Sequence, residues 1–337
     1  MSAVARTSAP GAANADYSGA SKGVVVATAR GFCAHDGLHR RLITDAGYEL
    51  RLAARPTPME PDELRLLVSD ADALILGLDR CDEQVFAAAK RLKVVARQGV
   101  GVDAVDLEAA ARYGVTVTNT PGANTIAVAE LVFGMLLSLA RHLREADAGV
   151  KAGDWPHLPG WEIHGRSLGL IGLGQVGRAV ASRAAAFGMK VWGYDPFAPE
   201  VPGVTRVPLA DLFRSSDVIS LHVPLTEENR NLIDDEVLAV MRPGAVVINT
   251  ARGGLIDEAA LARALSEGRI AAAASDAFAH EPPGASPLMS APNFLATSHL
   301  GAATLESSLR MAESAARNAL KVLAGEAGAD IVTAGTR

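Results

Sequence analysis

The chain has 337 residues, room for about two domains, and its 49% hydrophobic and 21% charged residues give an ordinary soluble balance. A formal net charge of -6, with no Lys/Arg-rich stretch, argues against a nucleic-acid partner. The two cysteines, Cys33 and Cys81, have neither CxxC spacing nor a nearby histidine cluster, so no disulfide framework and no metal site is expected.

Residues 1–22, MSAVARTSAPGAANADYSGASK, are rich in Ala, Ser and Gly and lack the apolar region of an export signal; they read as a disordered tail. From residue 23, short apolar runs alternate with helix-length amphipathic stretches. Strands are predicted at 23–28, 48–53, 72–78, 93–98 and 115–119, with helices between them such as HDGLHRRLITDAG and DEQVFAAAKRL. The runs are nearly continuous in Val, Ile and Leu rather than alternating, which suits strands covered on both faces and hence a parallel sheet.

Next comes PGANTIAVAELVFGMLLSLARHLREADAG. Pro121 and Gly122 punctuate it, and Asn124 or Thr125 caps a helix predicted to run to about Ala146. Its first turns are apolar almost all round, so it must be buried between domains or between subunits, and a homodimer is expected. The apolar segment 126–140 carries Glu130 and falls short of a membrane span, which leaves no membrane partner and a cytoplasmic location as the expectation. The strand pattern then restarts at 167–172, 190–195, 217–222, 245–250, 270–276 and 293–298. A second long helix is predicted from about Thr304 to Ala324. The fold class is therefore α/β, with two doubly wound parallel-sheet domains in series.

GLIGLGQVGRAVA, residues 169–181, places Gly172, Gly174 and Gly177 between a predicted strand and a predicted helix. Such glycines permit a tight turn and let backbone amides approach a pyrophosphate at a helix N-terminus. Asp195 ends the next strand, 21 residues after Gly174, where a carboxylate accepts hydrogen bonds from ribose hydroxyls. Placed about 4 Å from a 2′-phosphate it would cost roughly 1–4 kcal/mol, and the following PFAPEVPGV has no Arg or Lys to compensate. The cofactor implied is NAD rather than NADP.

Three ionisable residues follow strands of the second series: Arg252 in NTARGGLID, Glu281 in SDAFAHEPP and His299 in TSHLGAAT. Ligands of parallel sheets collect at the carboxyl ends of strands, so the three are expected in one crevice. Their types suit reduction of a 2-keto acid: an imidazole to donate the proton, a carboxylate to keep it charged, and a guanidinium to grip the substrate carboxylate. His222 also follows a strand, on the half of the sheet expected to face adenine. His280 adjoins Glu281 but points the other way along an extended chain, and both stay outside the catalytic set.

With these motifs, and with ARQGVGVDAVDLEAA, TPGANTIAVAE, HVPLTEENRNLI and NTARGGLIDEAAL in the same order, the chain resembles the D-2-hydroxyacid dehydrogenases over about residues 23–323. These include phosphoglycerate dehydrogenases and glyoxylate/hydroxypyruvate reductases. The resemblance implies a Rossmann NAD-binding domain (121–303) inserted into a flavodoxin-like substrate domain (23–120 plus 304–330), with cleft closure at the crossings. By motif, Arg252 would bind substrate, Glu281 would raise the pKa of His299, and His299 would exchange the proton. Val100, Gly101 and Arg97 would also meet the substrate, a small anionic 2-hydroxy or 2-keto acid. Gly172, Gly174, Gln175, Val176, Gly177 and Asp195 would meet the pyrophosphate and ribose. His222, Val223, Pro224, Thr250, Ala251, Arg252, Asp276, His299, Gly301 and Ala302 would line the rest of the cofactor, with Asp276 holding the carboxamide.

The phosphoglycerate enzymes carry an arginine directly after the strand at 72–76; this chain has Gly77 there, with Arg80 three residues on. Formate dehydrogenases place a glutamine beside the histidine, against Glu281 here. Phosphite-type dehydrogenases and the C-terminal-binding-protein corepressors keep the Arg–Glu–His set, so oxidation of phosphite and an NAD-sensing scaffold are the alternatives.

Overall fold

The computed structural model describes residues 21–54 and 58–333. Most of the tail expected at 1–22 lies outside these residues. Of the two that are described, Ser21 donates to the Gly23 carbonyl at 2.7 Å and the Lys22 amide donates to the Gly47 carbonyl at 2.9 Å.

The first sheet comprises β1 (Val24–Ala27), β2 (Glu49–Leu52), β3 (Ala73–Leu76), β4 (Val94–Arg97), β5 (Thr116–Thr118) and β13 (Ile331–Val332), ordered β13-β5-β4-β3-β1-β2. The first five are parallel in the flavodoxin-like order 2-1-3-4-5, and β13 adds an antiparallel edge against β5. All residues of β1 and β3 are buried because both faces are covered. Val24, Val26, Leu74 and Leu76 pack with Leu64 and Phe86, whereas Val25, Ala27 and Ile75 pack with Phe32 and Ala312. Successive strand side chains point to opposite faces, so near-continuous apolar runs are what such a sheet requires.

The helix Leu305–Ala324 lays Ala312, Ala315, Ala316 and Ala319 on this first sheet, although it follows the last strand of the second. Thr304 caps its start by accepting from the Ser307 amide, and Gly325, with φ at 71°, ends it in the left-handed region. Asn318 on this helix donates to the Asn119 carbonyl at 2.8 Å, and Arg310 donates to the Ala123 carbonyl at 2.9 Å. These bonds fasten the returning chain to the segment that leaves the first sheet.

The second sheet comprises β6 (Ser167–Ile171), β7 (Lys190–Tyr194), β8 (Thr205–Arg206), β9 (Val218–Leu221), β10 (Ala245–Asn249), β11 (Ile270–Ser275) and β12 (Phe294–Ala296). All are parallel, ordered β12-β11-β10-β9-β6-β7-β8, the Rossmann arrangement, with the order reversing at β6 and β9. β8 and β13 have two residues each and were not among the predicted strands.

The apolar helix after Gly122 is shorter than the sequence predicts. Thr125–Ala140 is one helix and Leu143–Lys151 another, meeting at 62°. The returning chain makes the break: the Trp161 amide donates to the Ala140 carbonyl at 2.9 Å, and His142 turns left-handed with φ at 49°. Among the described residues no single helix is long and apolar enough to cross a membrane. The first helix is buried along most of its length against β10, β11 and the helix Gln175–Ala186, leaving a stripe of Ile126, Glu130 and Gly134 exposed.

The turn after β6 is packed backbone to backbone. Gly172 has φ at 96°, and a Cβ there would lie 2.4 Å from the His222 carbonyl oxygen. A Cβ on Gly177 would lie 2.1 Å from the Gly172 carbonyl oxygen, a backbone contact that no rotamer change relieves. Gly177→Ala is predicted to lower unfolding free energy by about 1–3 kcal/mol, the range for an overpacked site. A denaturant midpoint equal to wild type would contradict this packing.

Candidate active site

The helix Gln175–Ala186 starts directly from the glycine turn. Its N-cap is Gly174, no side chain caps it, and a Cβ on Gly174 would meet nothing within 4 Å. First-turn amides therefore face open space with the positive end of the helix dipole behind them, which suits a pyrophosphate. Gln175 reaches over Gly122, whose φ is 80°, and Val176 packs into the core. His222 abuts Gly172, and its Nε2 lies 3.0 Å from Ser220 Oγ; burial pushes this imidazole down to about 4, so it is neutral. Val223 packs against the core, and the Pro224 carbonyl accepts from Asn229 Nδ2. Thr250 has a buried hydroxyl without a hydrogen-bond partner among the described residues, and the Ala251 amide is held by Asn249 Oδ1 at 3.0 Å. An uncapped helix start, an open glycine and an orphaned hydroxyl fit a dinucleotide.

Asp195 follows β7 and accepts the amides of Leu173 (2.8 Å), Phe197 (2.8 Å) and Ala198 (3.0 Å). Burial acts to raise its pKa, and those three donors more than offset it, holding the carboxyl below its ordinary value. The carboxylate therefore also fastens the glycine turn to the end of β7. Sequence proximity missed one cation: Arg206, on β8, bonds the Ala198 carbonyl at 2.7 Å and acts electrostatically on Asp195.

At the opposite side of the switch point, β10, β11 and β12 deliver the three ionisable residues. His299 Nδ1 lies 2.8 Å from Glu281 Oε2, and the other oxygen of Glu281 accepts the Phe278 amide at 3.1 Å. The Glu281 hydrogen bond raises the His299 pKa, against a smaller lowering by burial. Burial acts to raise the Glu281 pKa, and the His299 hydrogen bond and charge outweigh it, leaving the net shift downward. Each partner thus favours the charged form of the other.

His299 sits in the left-handed region, with φ at 57°. Buried Asp276 holds it there. Its carbonyl accepts the His299 amide at 3.0 Å, and its carboxylate accepts Thr297 Oγ1 (2.5 Å), the Leu300 amide (2.6 Å) and the Gly301 amide (2.7 Å). Half-buried Ala302 completes this loop.

Arg252 comes from the loop after β10. Gly253 lets that loop press on the Glu281 loop: a Cβ there would be 1.8 Å from the Phe278 carbonyl carbon. Asn249 Nδ2 donates to the Arg252 carbonyl at 2.7 Å. The guanidinium acts electrostatically on Glu281 and His299 and crosses to the other domain, bonding Asp103 through Nε (3.1 Å) and Nη2 (3.0 Å). A Cβ on Gly101 would be 2.0 Å from that Nη2, so the loop at 99–101 lies directly on it. Val100 is exposed, and its carbonyl accepts Asn119 Nδ2 at 2.8 Å. Arg97, at the end of β4, donates to the Gln98 carbonyl; burial, then the nearby Arg252 charge, push it down to about 10, still protonated at neutral pH. Arg80 is 78% exposed on its side chain and pairs with Asp82.

Asp103 was not read from the sequence, because its partner lies 149 residues away. Gln98 was also missed: it accepts the Phe32 amide at 3.0 Å and donates to the Ser308 carbonyl at 3.1 Å, tying the end of β4 to the C-terminal helix. Both cysteines are free, and burial pushes the Cys81 thiol up to about 12.

Residues 133–301 match the family model described as D-isomer specific 2-hydroxyacid dehydrogenase, NAD binding domain. A D-3-phosphoglycerate dehydrogenase from Methanocaldococcus jannaschii is 43% identical over 284 residues, 82% of this chain and 54% of that protein. A hydroxypyruvate reductase from Thermotoga maritima is 44% identical over 260 residues, 75% of this chain and 85% of that protein. The chain thus spans about half the length of the phosphoglycerate dehydrogenases it matches. The crystal structure of the TT0316 protein from Thermus thermophilus superposes with a TM-score of 0.84 at 38% identity, covering 92% of this chain and all of that one. A D-lactate dehydrogenase with NAD+ from Lactobacillus jensenii superposes with a TM-score of 0.75 at 30% identity, covering 92% and 99%. By the site's architecture and these relationships, the chain belongs to the D-isomer-specific 2-hydroxyacid dehydrogenase family and carries its NAD-binding domain.

Proposed function

We propose that this chain is an NAD-dependent dehydrogenase of small D-2-hydroxy acids, acting in reverse as a 2-keto acid reductase. The observation that carries this reading is the 2.8 Å His299–Glu281 pair, set beside Arg252 at the carboxyl ends of β10, β11 and β12. NAD, when bound, supplies the hydride acceptor, and NADH the donor. Gly172, Gly174, Gln175, Val176 and Gly177 would hold its pyrophosphate and Asp195 its ribose. His222, Val223, Pro224, Thr250, Ala251, Asp276, Gly301 and Ala302 would line the remainder.

The protein groups do the proton and anion work. Arg252 holds the substrate carboxylate and polarises the adjacent carbonyl, aided by the backbone at Val100 and Gly101 and by Arg97. His299, paired through Nδ1, presents its other ring nitrogen as proton donor to the carbonyl oxygen, or as acceptor from the hydroxyl in the oxidative direction. Glu281 fixes the ring and favours imidazolium. Gly77 stands where the phosphoglycerate enzymes carry an arginine, which favours an unphosphorylated substrate.

The functional unit we propose is a homodimer. The helix Leu143–Lys151 buries none of its residues and exposes Leu143 (54%) and Val150 (51%), and Trp155 beyond it is 89% exposed. An apolar arm of this kind suits a second copy in a two-fold arrangement. Sedimentation is expected to give twice the mass of the chain, with Trp155→Glu shifting it toward monomer; a wild-type monomer would contradict the arrangement.

His299→Ala is predicted to lower keto acid reduction by about 10²–10⁴ while NADH still binds. Reduction requires the imidazolium, which is present below a folded pKa raised above 6.5 and lost as pH rises through it. Glu281→Gln removes the raising partner, so the alkaline fall-off in reduction rate should move to lower pH. An unmoved fall-off, or wild-type turnover by His299→Ala, would remove these residues from their roles.

A further inference from the structure

Glu258 opens the helix Glu258–Ser266, and its neighbour caps that helix: Asp257 accepts the amides of Ala259 (2.9 Å) and Ala260 (3.0 Å). Ala260, Leu261, Ala264 and Leu265 anchor the helix in the core of the second sheet. The Glu258 side chain has no part in the cap and reaches outward, to the loop that carries Glu281. Oε1 accepts the Ala279 amide at 2.8 Å, and Oε2 accepts Ser286 Oγ. One carboxylate on a firmly packed helix thus bonds the loop on either side of Glu281.

This loop has little else to hold it. Residues 279–282, 284 and 285 are exposed, between buried Phe278 and buried Leu288. Packing of Gly253 against Phe278 fixes the point where the loop begins, and the Ser286 amide donates to the Pro283 carbonyl within it at 3.0 Å. Among the described residues, the side chains from other elements that hydrogen-bond segment 279–287 are those of Glu258 and His299. His299 itself is held separately, by the bonds of Asp276 to its own amide and to Thr297, Leu300 and Gly301. A 2.8 Å contact between the two therefore requires that the Glu281 loop be held as well.

Resting on the dehydrogenase reading above, we propose that Glu258 is a positioning residue for the proton-transfer pair: it clasps the loop on both sides of Glu281 and so keeps that carboxylate against His299. The clasp uses charge-assisted hydrogen bonds, an ionised acceptor meeting an N–H and an O–H donor, which are stronger than neutral ones. Glu258 acts only through Glu281 and touches neither substrate nor imidazole.

The His299 ring reads this directly. It would be titrated by NMR in the intact protein, in wild type, Glu258→Ala, Glu258→Gln and Ser286→Ala, with the pH profile of glyoxylate reduction followed in parallel. In Glu258→Ala the midpoint should fall toward 6.5 and the alkaline limb of reduction should move to lower pH. The rate should drop by up to about 10²-fold, the order for a reacting group misplaced by roughly an ångström. Ser286→Ala, which deletes one hydroxyl, should shift both readouts the same way by less. Glu258→Gln, whose amide can still meet Ala279 and Ser286, should stay nearer to wild type than Glu258→Ala does. Arg252 and Asp276, the other charges that act on His299, are untouched by these changes. In a Glu281→Gln background, Glu258→Ala should leave the midpoint where Glu281→Gln alone puts it, because a residue that works through another adds nothing once that other is gone. A wild-type midpoint in Glu258→Ala, a Glu258→Gln variant indistinguishable from Glu258→Ala, or a further equal fall in the Glu281→Gln background overturns the proposal. If wild type reduces no keto acid, the dehydrogenase reading falls, and the titration still decides the role of Glu258.

Discussion

The His299 imidazole reaches Glu281 because the backbone at residue 299 turns left-handed, and Asp276 pins that turn. Four bonds from one buried residue gather Thr297, His299, Leu300 and Gly301 into a fixed loop at the end of β12. A non-glycine residue with positive φ is disfavoured and persists where its surroundings over-determine it. Here Asp276 does so. With Nδ1 on Glu281, the opposite ring nitrogen is the one the proposed proton transfer would use.

The candidate site is split between the two sheets. The loops after β10, β11 and β12 supply the guanidinium, the carboxylate and the imidazole; the end of β4 supplies Arg97, and the loops after β3 and β4 supply Asp79, Gly101 and Asp103. The ion pair Arg252–Asp103 crosses between these halves. Both domains are parallel sheets, and both present strand carboxyl ends to the same cleft, where such sheets bind ligands. The segments crossing between them are tied together through Asn318, Asn119, Arg310 and Ala123.

Much of this was legible in the sequence. Eleven predicted strands correspond to strands within two residues at each end, because a sheet buried on both faces demands uninterrupted apolar runs. The C-terminal helix was legible from Thr304 to Ala324 since both of its ends carry local signals, a threonine cap and a glycine stop. The glycine turn and the three post-strand ionisable residues were legible as motifs. What escaped depends on distance. The break after Ala140 is made by Trp161, and neither glycine nor proline marks it. β8 and β13 are two-residue edge strands without room for a pattern. Asp103 and Arg206 are ordinary charges until the fold brings them to Arg252 and Asp195.

In the proposed reaction Glu281 holds the His299 imidazole in its charged form, ready to give up a proton. An NMR titration of the His299 ring in the intact protein measures this directly. The expected midpoint lies above 6.5 and drops when Glu281 is replaced by glutamine. A midpoint at or below 6.5, indifferent to that replacement, would contradict it.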